Sequence, residues 1–409
     1  MPLACVRQAA VLAGGYGKRM LPLTASLPKP LISVVGKPFA ERLADWLRGW
    51  GVERLLLLCG WHAEALVSHF GDGSRFGIEI EYSIAPAATE TARRLRRAES
   101  MLDRHFLLLY GDNFCPIHLE QAEAHWLDSR LPAQMTLYDN RDGYSRANVA
   151  SDESGRVRVY DPGRNAAGLR EVDIGFLFLD RQVVELAGEA NASLGETLYP
   201  ELVRRRMLGA YRTRHRYYGP STPARLAETE RFFSQPPTVL LDRDGVLNRK
   251  PARGEYVRSW DEWEWLPGAL DGLRAFRRSG WRVLVISNQA GVARGVIKPG
   301  ELDRIHARMH IEAGQAGGRI DGIYVCPHGW NEGCGCRKPS PGMLFQAQRD
   351  WALDLSRTWF LGDDRRDAEA AGRAGCPFLM IGPERSLLAA ARLLTGSTQS
   401  EETLWQNAS

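Results

Sequence analysis

The chain contains no uninterrupted apolar run approaching the ~18 residues that a membrane span requires, so no spanning helix is expected. Its N-terminus has no charged segment leading into an apolar stretch and a small-residue cleavage site, so no signal peptide is expected. Charge of one sign is also missing in excess: the formal net charge is only +4 over 409 residues. The basic runs, Arg93, Arg94, Arg96 and Arg97 and then Arg204 to Arg206, fit solvated helix faces, and nucleic acid is not an expected partner. The seven cysteines are an odd number, and three of them (Cys326, Cys334, Cys336) crowd beside His328. That spacing suggests a metal rather than a disulfide framework, and a reducing cytoplasm.

What is present is an ordinary globular composition, 44% hydrophobic and 25% charged, in a chain too long for one core. Two stretches share one grammar: an apolar strand, a Gly- or Asp-rich turn, then a helical pattern. One is Gln8 to Ala13 followed by Gly14-Gly15-Tyr16-Gly17; the other is Thr238 to Leu241 followed by Asp242-Arg243-Asp244-Gly245. Each opens a separate α/β sheet whose ligands bind beyond the strands' carboxyl ends. Arg54 to Leu58, Phe106 to Tyr110, Arg282 to Ser287 and Thr358 to Leu361 are further strands, and Pro223 to Phe233 is a helix. This alternation predicts two Rossmann-like domains of mostly parallel sheet covered by helices. The expected boundaries are a first domain at 1–234, a Pro-Pro linker at 235–238, a second domain at 239–385, and a terminal helix and polar tail at 386–409.

In the first half, Gly14, Gly15 and Gly17 make a turn whose N–H groups can cradle phosphate, and Arg19 and Lys29 add positive charge. Gly14-Gly15-Tyr16-Gly17-Lys18-Arg19, Pro22-Leu23-Thr24, Pro28-Lys29-Pro30-Leu31 and Gly36-Lys37-Pro38 together resemble the sugar-1-phosphate nucleotidyltransferases, as does Tyr110-Gly111-Asp112-Asn113. The resemblance covers roughly residues 7 to 233. It implies a mixed sheet, attack of a sugar 1-phosphate on a nucleoside triphosphate with release of pyrophosphate, and Asp112 as magnesium ligand. Gly219 stands where that family places a second metal-binding aspartate, Pro86 to Ala92 lacks the family's small glycines, and a lysine before Pro162 is missing. Asp173 serves either the sugar pocket or a turn. An active transferase and a domain that only binds nucleotide or sugar phosphate are both open at this stage.

In the second half, Asp242 and Asp244 sit two apart at the end of an apolar strand and would repel each other without a cation. Ser287 ends the next strand, Arg337-Lys338-Pro339 brings basic groups, and Gly362-Asp363-Asp364 ends another strand in acid. These four pieces resemble the haloacid-dehalogenase phosphatases over residues 238 to 382. The resemblance implies Asp242 as nucleophile, Asp244 as general acid and base, Ser287 and Lys338 as phosphoryl holders, and Mg2+ on Asp242, the Asp244 carbonyl and Asp363. Asp364 or Asp367 either supports the metal from behind or is a helix N-terminal acid.

Cys326, His328, Cys334 and Cys336 supply three thiolates and an imidazole, a closed zinc set and therefore structural. Cys5, Cys59, Cys115 and Cys376 are expected to be small buried hydrophobes. The zinc motif resembles both the heptose 1,7-bisphosphate phosphatases and the histidinol-phosphate phosphatases; Asn288-Gln289-Ala290-Gly291-Val292-Ala293-Arg294-Gly295 resembles the former. Asn288, Arg294 and Arg337 are candidate substrate ligands, Arg294 being otherwise an exposed loop arginine. Joined, the two resemblances imply a bifunctional enzyme of activated-heptose synthesis. A small-phosphomonoester phosphatase carrying a binding domain is the alternative.

Overall fold

A computed structural model describes residues 2–252 and 254–396, and the expected polar tail from 397 onward lies outside them. The chain divides between Ser234 and Gln235 into two compact units.

The first unit is built on a seven-stranded sheet. Its spatial order is Leu208–Thr213, Ala133–Tyr138, Val172–Asp180, His105–Tyr110, Gln8–Ala13, Arg54–Cys59 and Glu79–Ile84. Val172–Asp180 runs antiparallel to both neighbours and the remaining pairs are parallel, so the sheet is mixed. Arg54–Cys59 buries its last five residues without alternation, because helices cover both faces. The Phe39–Gly49 helix shows the complementary pattern, burying Phe39, Ala40, Leu43, Ala44 and Leu47 along one stripe. Since the central strands are parallel, Gly14, Gly60 and Gly111-Asp112 leave the sheet at one end.

The second unit has five parallel strands in the order Gly322–Cys326, Arg282–Asn288, Thr238–Leu241, Trp359–Gly362 and Phe378–Met380. Thr238–Leu241 lies in the middle, wholly buried, so the residue after it emerges at the centre of the sheet's carboxyl edge. The Leu387–Thr395 helix packs back on Ala269–Arg278 and places Leu387, Ala390, Ala391 and Leu394 in the core. Among the described residues no helix is long and apolar enough to cross a membrane.

Candidate active sites

At the carboxyl edge of the second sheet, three strand ends meet. Asp242 follows Leu241, Ser287 is the last but one residue of the neighbouring strand and Asp363 follows Gly362 on the other side. Carboxylate oxygens of Asp242, Asp363 and Asp367 all lie within 4.8 Å of one another. Gly245 permits this: its φ is +96°, and a Cβ there would stand 2.1 Å from Asp363 Oδ2.

Lys338 is the counter-charge. Its Nζ lies 2.7 Å from Asp242 Oδ1 and 2.7 Å from Asp367 Oδ1, and it donates to the Ile286 carbonyl at 2.9 Å. Burial works against its charge, yet Asp242 and Asp367 raise its pKa. Burial pushes Asp242 up to about 7, helped by Asp367 and Asp244 and opposed by Lys338. Asp363 is also raised by burial, and its Oδ1 is buried without a partner in the structure. A buried, orphaned carboxylate oxygen beside a second carboxylate fits a hard divalent cation.

Asp244 is held differently. Arg243 Nη2 donates to it at 2.7 Å, Asn248 Nδ2 at 2.9 Å and Gln289 Nε2 at 3.0 Å. Burial opposes its ionisation, but Arg243 with the two amides keeps its carboxyl below the usual range. Gln289 Nε2 also donates to Ser287 Oγ at 2.8 Å, which orients that hydroxyl. Asp364 and Asp367 form a capping box at the start of Arg365–Ala374, so both are helix-terminal acids, and Asp367 additionally grips Lys338.

The sequence did not single out Lys250, whose Nζ meets Asp363 Oδ2 at 2.8 Å and Asp364 Oδ2 at 3.2 Å. Lys250 lines a cleft of about 450 Å³ together with Arg249, Tyr256, Arg258 and Glu264. Arg294 is exposed and reaches the Tyr256 hydroxyl at 3.2 Å, its guanidinium 5.1 Å from the Trp330 ring centroid. Asn288, expected to touch substrate, instead exchanges two hydrogen bonds with the Lys338 main chain, at 3.1 and 3.0 Å. Its side chain therefore positions Lys338. Arg337 donates to the His328 carbonyl at 3.4 Å.

The four donors of the cysteine loop converge. Cys326 Sγ lies 3.6 Å from Cys334 Sγ, 3.4 Å from Cys336 Sγ and 3.6 Å from His328 Nδ1. Metal–sulfur bonds of ~2.3 Å in a tetrahedron place thiolates ~3.8 Å apart, close to this spacing. Cys59, Cys115 and Cys376 are buried, but Cys5 is exposed. Glu123 accepts from the main-chain N–H groups of Cys5 and Val6, each at 2.9 Å, and burial together with this carboxylate pushes the Cys5 thiol up to about 12.

In the first unit, Asp112 follows the Gly111 turn and is ion-paired with Lys29. Arg19 is exposed on the Lys18–Met20 turn, one residue before buried Met20. Gly219 closes off a second carboxylate: a Cβ there would lie 1.8 Å from the Asp112 carbonyl oxygen. Paired main-chain bonds of 2.7 Å between Phe114 and Tyr218 hold the two segments at that distance. Among the described residues, no group of three metal-binding side chains includes Asp112. The side chains present do not by themselves make a divalent-cation site.

Asp173 accepts from Gly175 N–H at 2.8 Å and from the Tyr160 hydroxyl at 3.3 Å. Burial raises its pKa to about 6. A carboxyl raised in the folded state stabilises while protonated, and that contribution disappears as pH climbs from the unfolded value through about 6. Asp173→Asn is therefore expected to gain denaturant midpoint over wild type between pH 4.5 and 7.5. A shift of about two units limits the gain to ~3 kcal/mol, and partial exposure reduces it. A pH-independent difference would refute the assignment.

Comparison with known proteins fits this division. Residues 8–160 match the Nucleotidyl transferase family and residues 335–402 the HAD-hydrolase-like family. The D-glycero-beta-D-manno-heptose-1,7-bisphosphate 7-phosphatase of Bordetella bronchiseptica is 41% identical over 166 residues, which are 40% of this chain and 92% of that protein. The D-glycero-alpha-D-manno-heptose-1,7-bisphosphate 7-phosphatase of Mycobacterium bovis is 37% identical over 150 residues, 35% of this chain and 78% of that protein. Among solved structures, the B. bronchiseptica D,D-heptose 1,7-bisphosphate phosphatase complexed with magnesium and phosphate aligns at 35% identity with a TM-score of 0.37, covering 40% of this chain and all of that one. The chain belongs, through its second unit, to the D-glycero-D-manno-heptose-1,7-bisphosphate 7-phosphatase family, and joins that phosphatase to a nucleotidyl transferase unit.

Proposed function

We propose that this chain carries out two consecutive steps of nucleotide-activated heptose synthesis. The second unit removes the 7-phosphate of D-glycero-D-manno-heptose 1,7-bisphosphate, and the first joins the resulting sugar 1-phosphate to a nucleoside triphosphate. The observation that carries this reading is the meeting of Asp242, Ser287, Lys338 and Asp363 at one sheet edge, in a chain that also holds the Gly14–Arg19 loop.

In the phosphatase, an Asp242 oxygen attacks phosphorus and the P–O bond to the sugar breaks, leaving an aspartyl-phosphate. Asp244, ionised before substrate binds, takes up a proton as the phosphate dianion arrives beside it, gives that proton to the departing alkoxide, then takes one from the water that attacks phosphorus and frees Asp242 and inorganic phosphate. Lys338 and Ser287 hold the equatorial oxygens, and Gln289 keeps the Ser287 hydroxyl aimed. Mg2+ held by Asp242, the Asp244 carbonyl and Asp363 would neutralise like charge as the anion approaches. Lys250 bonds Asp363 and Asp364 from the cleft, where it can contact the sugar or its second phosphate.

Zn2+ on Cys326, His328, Cys334 and Cys336 is structural in this reading, since protein fills all four positions. Three thiols kept as ligands favour a reducing cytoplasm as the site of action. In the transferase, the Gly14–Gly17 N–H groups and Arg19 receive the triphosphate, and Lys29 leaves Asp112 to do the same. The sugar phosphate oxygen attacks the α-phosphorus, and the α–β phosphoanhydride bond breaks to release pyrophosphate.

The test is to supply the bisphosphate with each nucleoside triphosphate and identify products by mass. Sugar 1-phosphate with inorganic phosphate, then a nucleotide-sugar with pyrophosphate, is the expected series. Faster hydrolysis of histidinol phosphate than of the bisphosphate overturns the substrate assignment. Absence of pyrophosphate with every nucleotide overturns the transferase step.

A further inference from the structure

The basic run on the Thr91–Arg97 helix is not uniformly solvated, as its composition suggested. Arg93 and Arg96 do pair with Glu189 at the surface, but Arg94 is only 3% exposed and turns inward. Its guanidinium meets no carboxylate within ion-pair distance among the described residues and donates to carbonyl oxygens. Nη1 donates to Cys59 and, at 3.4 Å, to Ala85; Nη2 donates to Gly14 at 3.3 Å, Pro86 at 2.8 Å and Ala87 at 3.1 Å. Burial depresses its pKa, and Glu90, beyond ion-pair distance, offsets this only in part. Such a charge is unfavourable in an interior unless something negative completes it.

Its place in the fold says what that is. The carbonyls it gathers end three adjacent parallel strands, Gln8–Ala13, Arg54–Cys59 and Glu79–Ile84, at the edge where the glycine-rich turn begins. The Gly14 carbonyl accepts both from Arg94 and from Trp61 N–H at 3.1 Å. In a trans peptide the C=O and the following N–H point opposite ways, so the Gly15 N–H is turned away from Arg94, and Gly15 is exposed. A Cβ at Gly14 would stand 2.4 Å from Arg94 Cζ, and one at Gly60 2.3 Å from its Nη2, so both glycines make room for this side chain.

We infer that Arg94 is a positioning residue of the transferase: it locks the glycine-rich turn to its two neighbouring loops and lays under them a positive charge that a polyphosphate completes. This rests on the reading of Gly14–Arg19 as a polyphosphate-binding loop. The recognised chemistry is the pyrophosphate unit shared by a nucleoside triphosphate and the released product.

The experiment compares the full-length wild type with Arg94→Gln and Arg94→Lys by calorimetric titration with inorganic pyrophosphate and with each nucleoside triphosphate, and by denaturant midpoint without ligand. Gln removes the charge and most of the fork, and is expected to weaken pyrophosphate about 100-fold, whatever it costs in ligand-free midpoint. Lys keeps the charge but loses the fork and should fall between, about 10-fold weaker than wild type. A Gln variant with a lowered midpoint and unchanged Kd assigns Arg94 a purely structural role and overturns the inference. If Gln does not fold, an unchanged Kd in the Lys variant overturns it equally. Failure of the wild type to bind pyrophosphate or any triphosphate sinks the loop reading itself, a distinct outcome.

Discussion

Asp242→Asn is expected to reduce phosphate release from heptose bisphosphate by about 10⁴-fold or more while leaving the chain folded. The amide cannot form the acyl phosphate, so no residual route through this side chain remains. Stability should hold because Asp242 is a buried carboxylate whose pKa is already pushed up to about 7, and a neutral isostere removes that penalty. Lys338 retains Asp367 at 2.7 Å and the Ile286 carbonyl, so its ammonium is not stranded. Pyrophosphate release by the other unit should not change. Rapid quench with labelled substrate should trap an acid-stable, base-labile phosphoprotein in wild type and none in the variant. Full hydrolytic rate in Asp242→Asn would exclude Asp242 as nucleophile.

The parts of this site that the sequence displayed are those in which chemistry is written into contiguous residues. Asp242 and Asp244 both follow one strand end, Lys338 precedes a proline two residues after a candidate ligand cysteine, and Asp363 follows another strand end. Each is a local pattern that a reader of residues can see. Lys250, Asp367 as the second partner of Lys338, and Asn288 as its main-chain brace depend on elements far apart in sequence, and nothing local marks them. Arg94 is the sharpest case. On a seven-residue helix carrying four arginines, composition predicts a solvated face, and only the packing of three strand ends shows that one of the four is a buried strut. Gly219 could be seen as a departure in the sequence, but its reason, contact with the Asp112 carbonyl, is tertiary. Exposure of Cys5 likewise depends on how Glu123 anchors the first residues.

On the proposed reading of the cysteine loop as a zinc site, removing the metal is expected to disable the phosphatase and spare the transferase, because the same loop carries Lys338, proposed to hold the phosphoryl group. Cys336 is a candidate ligand, Arg337 follows it and Lys338 comes next, so metal and ammonium are two residues apart on one strand of chain. The loop has little apolar burial of its own: Cys334 and Cys336 are only partly covered, and the segment from Gly329 to Gly335 lies largely in solvent. A structural zinc contributes on the order of 10 kcal/mol to such a segment. Without it, the two Asn288 bonds to the Lys338 main chain are left to fix the lysine, each worth only about 1 kcal/mol. Cys336→Ser or strong chelation should therefore lower phosphate release by about 100-fold or more, with one zinc per chain lost by elemental analysis. Cobalt substitution should give the visible absorption of a tetrahedral thiolate site. Because protein donors would fill all four zinc positions and leave none for substrate, restoring the metal should return turnover without altering the pH profile. A protein purified without metal under reducing conditions, and equally active after Cys336→Ser, would show that the four donors meet for another reason.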